Sequence, residues 1–256
     1  MFAEQFAFQL PASVDFVGGG GKTALILRLM REASVATIYT TTTRIHPPRP
    51  TDGMMLLCGS RFDRLQELVN CLGRRSDNRI RQLVVAGPEI RASLLQGVPP
   101  DFGAGIDQTF FPLLLNEADG ARSMSIKMPR EGEPVLMRDS NYLVPVIGLD
   151  CLGKQLGPET LFRWEMASSR YALEPGRIIT PGLAASLLLH PQGVCRDWHP
   201  GRRIIPYINK ADSEGADSAA LELADALLHS HSFPVEKVVW GSLLRDRAGL
   251  RTRLTQ

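Results

Sequence analysis

"FVGGGGKTALILRLM", Phe16 to Met30, decides how the rest of the chain reads. Four consecutive glycines stand between a β-rich segment and a run that places Leu25, Ile26, Leu29 and Met30 on one helical face. A simple turn would use one or two. A strand, a glycine-rich turn, Lys-[Ser/Thr] and a helix together form the P-loop arrangement. Gly18, Gly19, Gly20 and Gly21 can turn their N–H groups inward around an anion, where a Cβ would collide with phosphates. The helix directs its positive N-terminal end at the same charge. Lys22 would reach the β- and γ-phosphate oxygens of a nucleoside triphosphate, and the Thr23 hydroxyl would be a Mg²⁺ ligand. The longer spacing G-x-x-x-x-G-K-[ST] would need glycine where Phe16 stands, so the motif is the shorter G-x-x-G-K-T from Gly18 to Thr23. A dinucleotide-binding G-x-G-x-x-G fails, because its last position falls on Thr23.

Along the chain, short apolar runs alternate with longer helical patterns, the signature of a parallel α/β sheet. Strands are expected at 13–18, 35–40, 82–87, 110–120, 141–150 and 202–209, with 236–242 as the last. Helices are expected at 22–33, at 61–73 (Phe62, Leu65, Leu68, Val69 and Leu72 inward), at 180–193 with Thr180 as N-cap and Pro181 at the first position, and at 218–230. Residues 97–107 and 121–140 read as loops or hairpins, the second as an insertion in one α/β domain spanning 1–256. The fold class expected is a three-layer, P-loop NTPase-like α/β fold with helices on both faces of a mostly parallel sheet.

A P-loop protein also needs an acid at the end of a neighbouring strand, to hold Mg²⁺ through water and orient the attacking group. "LLLNEADG" supplies two, Glu117 and Asp119, in a spacing like the D-x-x-G switch of GTPases. Either can be the metal acid, and with Lys22 they are the candidate catalytic groups. A second D-x-x-G, Asp150 to Gly153, is as readily a turn as a switch. "YINKADS" places Asn209, Lys210 and Asp212 directly after a strand, in the N-K-x-D order by which GTPases read guanine: carboxylate to the base edge, lysine stem over the ring. The threonine run ends at the carboxyl edge of the second strand, where open sheets bind ligands, and Thr42 or Thr43 is the candidate switch residue. Arg44 and His46 follow on that loop. Lys127, and Arg163 with Glu165, are candidate contacts for a second substrate or effector. Cys151 reads as a buried, inert thiol.

The 256 residues suffice for a large core without staples. A net charge of +2 gives no nucleic-acid surface, and the arginines at 74, 75, 79 and 81 and at 245, 247, 251 and 253 read as solvated faces. Four scattered cysteines form neither a disulfide framework nor a zinc site. No apolar run approaches the roughly 20 residues that span a bilayer, and the N-terminus lacks a leader's basic region, so a cytoplasmic protein is expected.

With these motifs in this order, the chain resembles the YqeC family, accessory proteins of selenium-dependent molybdenum hydroxylases, over most of its length. The resemblance rests on "FVGGGGKT", "YTTTTRIHPP" (39–48), "NEADGARSMSIKMP" (116–129), "VIGLDCLGK" (146–154) and "INKAD" (208–212). It implies a fold akin to the SIMIBI class of GTPases and ATPases, and a role in maturing a selenium- or molybdenum-containing cofactor. A molybdenum hydroxylase or its cofactor-maturation proteins would be the partner, and a homodimer is one assembly open to it. Family members usually read Gly-Ala-Gly-Gly-Lys-Thr-Thr and Glu-Ala-Asp-Gly-Ser-Arg; here Gly19, Ala24 and Ala121 stand for the first Ala, the second Thr and the Ser. The function expected is a Mg²⁺-dependent GTPase or ATPase. The alternatives are a small-molecule kinase or ligase, and a nucleotide-gated carrier that does not hydrolyse.

Overall fold

The computed structural model describes residues 1–49, 53–75 and 81–253; Arg79 of the expected arginine face lies outside them. The chain opens with a short helix, α1 (Phe2–Phe6), and enters β1 (Ala12–Gly18), buried along its whole length. The glycine turn delivers it into α2 (Lys22–Glu32), which buries Leu25, Ile26, Leu29 and Met30 as its apolar stripe. β2 (Thr37–Thr41), β3 (Met54–Cys58), α3 (Phe62–Arg74) and β4 (Gln82–Ala86) follow. A small antiparallel pair, β5 (Glu89–Arg91) and β6 (Leu94–Leu95), precedes β7 (Leu113–Glu117), β8 (Ile126–Lys127) and β9 (Tyr142–Gly148). After β10 (Leu161–Phe162), which pairs with β8, come α4 (Trp164–Tyr171) and α5 (Pro181–Leu188). Thr180 accepts the Leu183 N–H at 3.3 Å as the N-cap of α5, with Pro181 in the first helical position. β11 (Arg203–Ile204), β12 (Tyr207–Asn209), α6 (Ala216–Leu228), β13 (Lys237–Ser242) and β14 (Arg247–Thr252) complete the order.

The main sheet runs β14-β13-β12-β9-β1-β7-β2-β4-β3, with β11 beside β9. Its described pairings are parallel except β13 with β14. Alternation along β1 separates two faces. Val14 and Phe16 pack with the stripe of α2 and with Phe2 and Phe6 of α1, whereas Val17 joins the core under α5 and α6. A third cluster on that second face gathers Leu65 and Val69 of α3 with Ile38, Leu83 and Leu114. The protein is therefore α/β, with a large, mostly parallel sheet flanked by helices, consistent with a three-layer P-loop NTPase-like architecture. The glycine strand β1 has the acid-bearing strand β7 on one side and β9 on the other. Among the described residues, no helix is long and apolar enough to cross a membrane.

Some elements differ from the sequence reading. The 236–242 strand is not the last, because β14 returns antiparallel along it. Arg247 and Arg251, expected on a solvated face, bind Asp217 and Asp225 of α6 at 2.7 Å each. Alternate arginines on an edge strand mimic a surface helix in composition while protecting the edge. β3, too short and mixed to stand out, forms the other edge. The 202–209 strand is cut at Pro206, which has no N–H to donate. Leu68 points outward, 44% exposed, because the stripe of α3 is narrower than its leucines suggest. The 110–120 strand is trimmed to 113–117, and 97–107 contains a single tight turn at Phe102–Gly105. Within 121–140 the chain forms β8 and then crosses the sheet, covering a polar row at the middle of β1.

Asp15 lies at the centre of that row with 0% exposure. It accepts from Asn116 Nδ2 at 2.7 Å, Ser140 Oγ at 2.5 Å and the Met137 N–H at 3.2 Å. Burial pushes its carboxyl up to about 6, although these hydrogen bonds and the Arg202 charge pull the other way. An acid with a raised folded-state pKa stabilises fully below its ordinary pKa and loses that contribution as pH rises through the folded value. Urea unfolding from about pH 4 to pH 7 should therefore show the wild type losing on the order of 3 kcal/mol relative to Asp15→Asn. Parallel profiles for the two proteins would overturn this assignment.

Candidate functional site

The protein's own packing requires glycine in the loop. Gly18, Gly20 and Gly21 have φ of 92°, 80° and 119°. A Cβ on Gly18 would lie 2.5 Å from the Val146 carbonyl oxygen; on Gly19 and Gly20 it would overlap Met124 O and the Gly148 nitrogen. The close neighbours at these three positions are protein backbone. The amides are engaged as well: Gly18 N–H donates to Asp119 Oδ2 (3.0 Å), Gly19 N–H to Val146 O (2.9 Å) and Gly20 N–H to Met124 O (2.8 Å). The first-turn N–H groups of α2, after its N-cap Gly21, have no acceptor within the helix.

Asp119 and Glu117 take different partners. Thr23 Oγ1 donates to Glu117 Oε2 at 2.8 Å, and the Tyr39 hydroxyl donates to the same oxygen at 2.8 Å. Glu117 keeps 13% side-chain exposure, whereas Asp119 is fully buried between two ammonium groups. Lys22 Nζ lies 3.0 Å from Asp119 Oδ1, an ion pair without a well-aligned hydrogen bond, and Lys127 Nζ lies 3.1 Å from Oδ2. Lys22 also donates to Gly18 O at 2.7 Å and stands 3.8 Å from Glu117 Oε1. Burial alone would pull the Lys22 ammonium down, but the charges of Asp119 and Glu117 more than offset it and its pKa rises.

The charge network continues inward. Lys127 donates to Glu133 Oε2 at 3.0 Å, and Arg163 grips Glu133 with two bonds of 2.7 and 3.2 Å. Burial pushes the Glu133 carboxyl up, yet Arg163 and Lys127 outweigh it and bring it down to about 2. Lys127 and Arg163, expected as contacts for a second substrate or effector, hold a buried acid of this chain. Neither Glu133 nor Tyr39 was legible as part of the site: Tyr39 meets Glu117 from 78 positions away, and Glu133, though near Lys127 in sequence, lies in a stretch without a periodic pattern.

On the other side of β1, Asn209 Nδ2 donates to Gly20 O at 2.6 Å while its Oδ1 accepts from the Tyr207 hydroxyl at 3.1 Å, stapling the glycine loop to β12. Lys210, at φ 65°, donates to Ser125 Oγ (2.8 Å) and Asp150 Oδ2 (3.1 Å). Burial would raise the Asp150 carboxyl, but Ser125 and Lys210 hold it below its ordinary value. Asp212 accepts from the hydroxyl of Ser242 at the end of β13, and Ser242 Oγ accepts the Arg245 N–H at 2.9 Å. Ser242 was missed; its signal was only its place at the close of "VVWGS". Cys151 is 2% exposed beside Asp150, and burial pushes its thiol up to about 12, which keeps it protonated.

The threonine run divides its tasks. Thr41 Oγ1 donates to Glu117 O at 2.9 Å, and the Thr43 N–H donates back to Thr41 Oγ1 at 3.1 Å. Thr42 donates to Val135 O and accepts from Asn116 Nδ2 at 3.1 Å. Among the described residues, neither the Thr42 nor the Thr43 hydroxyl bonds to Lys22, Thr23, Glu117 or Asp119. His46 Nδ1 pairs with Ser93 O at 2.7 Å, away from the glycine loop.

The model of the YqeC family, described as "YqeC protein", matches residues 14–165. That span contains the glycine loop, the threonine run, both acids and Asp150, and stops short of Asn209. The chain is 24% identical over 212 residues to "Uncharacterized protein YqeC" of Escherichia coli (strain K12), covering 78% of this chain and 76% of that protein. No solved structure matches.

The loop geometry yields a paired test. Gly20→Ala forces a Cβ into the Gly148 nitrogen at positive φ and should lower unfolding free energy by about 2–4 kcal/mol. Gly120→Ala, with nothing within 4 Å, should stay within about 0.5 kcal/mol in the same chemical denaturation.

Proposed function

The chain belongs to the YqeC family, and on that premise we propose that it is a magnesium-dependent P-loop protein that binds and hydrolyses a nucleoside triphosphate, GTP before ATP. The observation that carries this reading is the 2.8 Å bond from Thr23 Oγ1 to Glu117 Oε2. It joins the last motif hydroxyl of the glycine loop to the acid at the end of the adjacent strand. Mg²⁺ prefers hard oxygens and keeps most of its shell for water and phosphate, so one hydroxyl and one carboxylate are a fitting protein share. Thr23 and Glu117 would hold the ion, which when bound neutralises charge on the β- and γ-phosphates.

Asp119 is then the partner that holds Lys22 when phosphate is absent. When Lys22 turns to phosphate oxygens, Lys127 remains 3.1 Å from Asp119, so the buried carboxylate is not left uncompensated. Catalysis would come from positioning and from the Lys22 charge on the transferring group. Guanine is favoured over adenine by Asp212. One of its oxygens is engaged by Ser242, and a carboxylate accepts from the guanine N1–H and amino group but meets an acceptor at adenine N1. The role in maturing a selenium- or molybdenum-containing hydroxylase cofactor rests on the family resemblance. A small-molecule kinase is the second reading, favoured by an open cleft beside the threonine run.

Calorimetric titration of Mg²⁺–GTP and Mg²⁺–ATP tests the reading. Binding of Mg²⁺–GTP should weaken about 100-fold in Lys22→Ala. Asp212→Asn should shift preference toward xanthosine triphosphate, and Glu117→Gln should blunt the Mg²⁺ dependence. Absence of nucleotide binding to the wild type would sink the proposal, and equal ATP affinity would remove the guanine assignment.

A further inference from the structure

A cleft of about 480 Å³ opens at the carboxyl ends of β2 and β4, between the threonine run, residues 96–99 and residues 130–135. Its volume lies in the range of small-molecule sites. Its floor is tightly built. The Val98 N–H donates to Thr41 O at 2.8 Å, Thr42 donates to Val135 O, and Gly97 lies so close to the Thr42–Thr43 backbone that a Cβ would overlap it. Apolar surface comes from Phe62, Ile90, Val98 and Val135, with Ile90 43% exposed.

The charge of the cleft is positive for a reason visible in its wall. Glu133 is its acidic lining residue, and Lys127 and Arg163 already satisfy that carboxylate from behind. Arg130, at 2.9 Å from Glu133 and 67% exposed, is therefore surplus on the solvent side. Arg44 lines the same rim, is exposed, and has no acidic partner among the described residues.

Position adds a direction. Asn209 and Asp212 follow β12, the glycine loop follows β1, and Glu117 ends β7. In the order β12-β9-β1-β7-β2-β4 the cleft comes next after Glu117. A nucleotide with its base toward β12 and its phosphates over the start of α2 would point its terminal phosphate toward this cleft.

We propose that the cleft binds a small organic anion, a phosphate- or carboxylate-bearing molecule with an apolar or aromatic body, as a second ligand beside the terminal phosphate of the nucleotide. The apolar wall takes the body, and Arg44 and Arg130 take the anionic group. Only its placement beside a nucleotide rests on the function proposed above; the anion site itself does not.

The test is an amide NMR titration of the full chain with phenyl phosphate, with benzyl alcohol as the neutral comparator. Saturable shifts are expected at Thr43, Gly97 and Gly132, retained within about twofold in Lys22→Ala and weakened at least about tenfold in Arg44→Ala/Arg130→Ala. Benzyl alcohol should bind at least about tenfold more weakly. Shifts confined to residues 21–24 and lost in Lys22→Ala would put the probe in the glycine loop and overturn the proposal. So would unchanged binding in the double arginine variant, or no binding at all. Phenyl phosphate binding at the cleft of a wild type that ignores Mg²⁺–GTP would leave the anion site standing and defeat the nucleotide reading alone.

Discussion

The site is organised around one buried carboxylate shared by two ammonium groups. Asp119 holds Lys22 on one oxygen and Lys127 on the other, and also accepts the Gly18 N–H. This fixes the end of β7 against the end of β1 and orients the lysine of the glycine loop. Through Lys127 it reaches Glu133 and Arg163, so the wall of the neighbouring cleft is anchored to the same charge. Removing the shared carboxylate would leave two buried ammonium groups short of counter-charge, a kind of loss that typically costs about 3–5 kcal/mol. Two cations on one anion leave slack: either lysine can turn elsewhere while the other keeps the carboxylate paired.

Around that anchor, β1 divides the carboxyl edge of the sheet into two halves. On the β12 side, Asn209 reaches back to Gly20 O in the loop, and Lys210 bonds Ser125 and Asp150 beside it. On the β7 side, the strand ends supply Glu117, with Thr23 and Tyr39 donating to one of its oxygens. The parallel sheet makes this possible, since it delivers the carboxyl end of each parallel strand, β1, β7 and β12 among them, to the same edge. The polar row beneath, centred on Asp15, shows what the crossing segment 134–141 does: it takes the place of a helix over β1 and supplies donors that an apolar helix would lack.

Much of this was legible in the chain. The stripe of α2, the Thr180–Pro181 helix start and the strand–glycine–Lys-Thr–helix sequence are local patterns, and they formed where local physics placed them. The long-range partnerships were not legible. Nothing in "NEADG" says that Glu117 takes the threonine hydroxyl while Asp119 takes two lysines; that depends on Lys127, which comes in from β8. Lys127 and Arg163 read as contacts for a second substrate or effector because the acid they serve, Glu133, sits in a stretch with no periodicity. β14 was hidden because arginines on an edge strand look the same in composition as arginines on a solvated helix. The glycines were legible as a loop, but their protein neighbours were not, since only the folded chain shows Val146, Met124 and Gly148 pressed against them.

That last feature bears on dynamics. A loop whose amides wait for an anion would be loose until the anion came, and ordering it would oppose binding. Here the amides of Gly18, Gly19 and Gly20 are already bonded to neighbouring segments of the chain. The loop is a pre-set bracket, with little conformational freedom left to lose. What freedom the bracket keeps lies in the Lys22 side chain, which is held by two carboxylates and one carbonyl rather than by the backbone bonds that pin the loop.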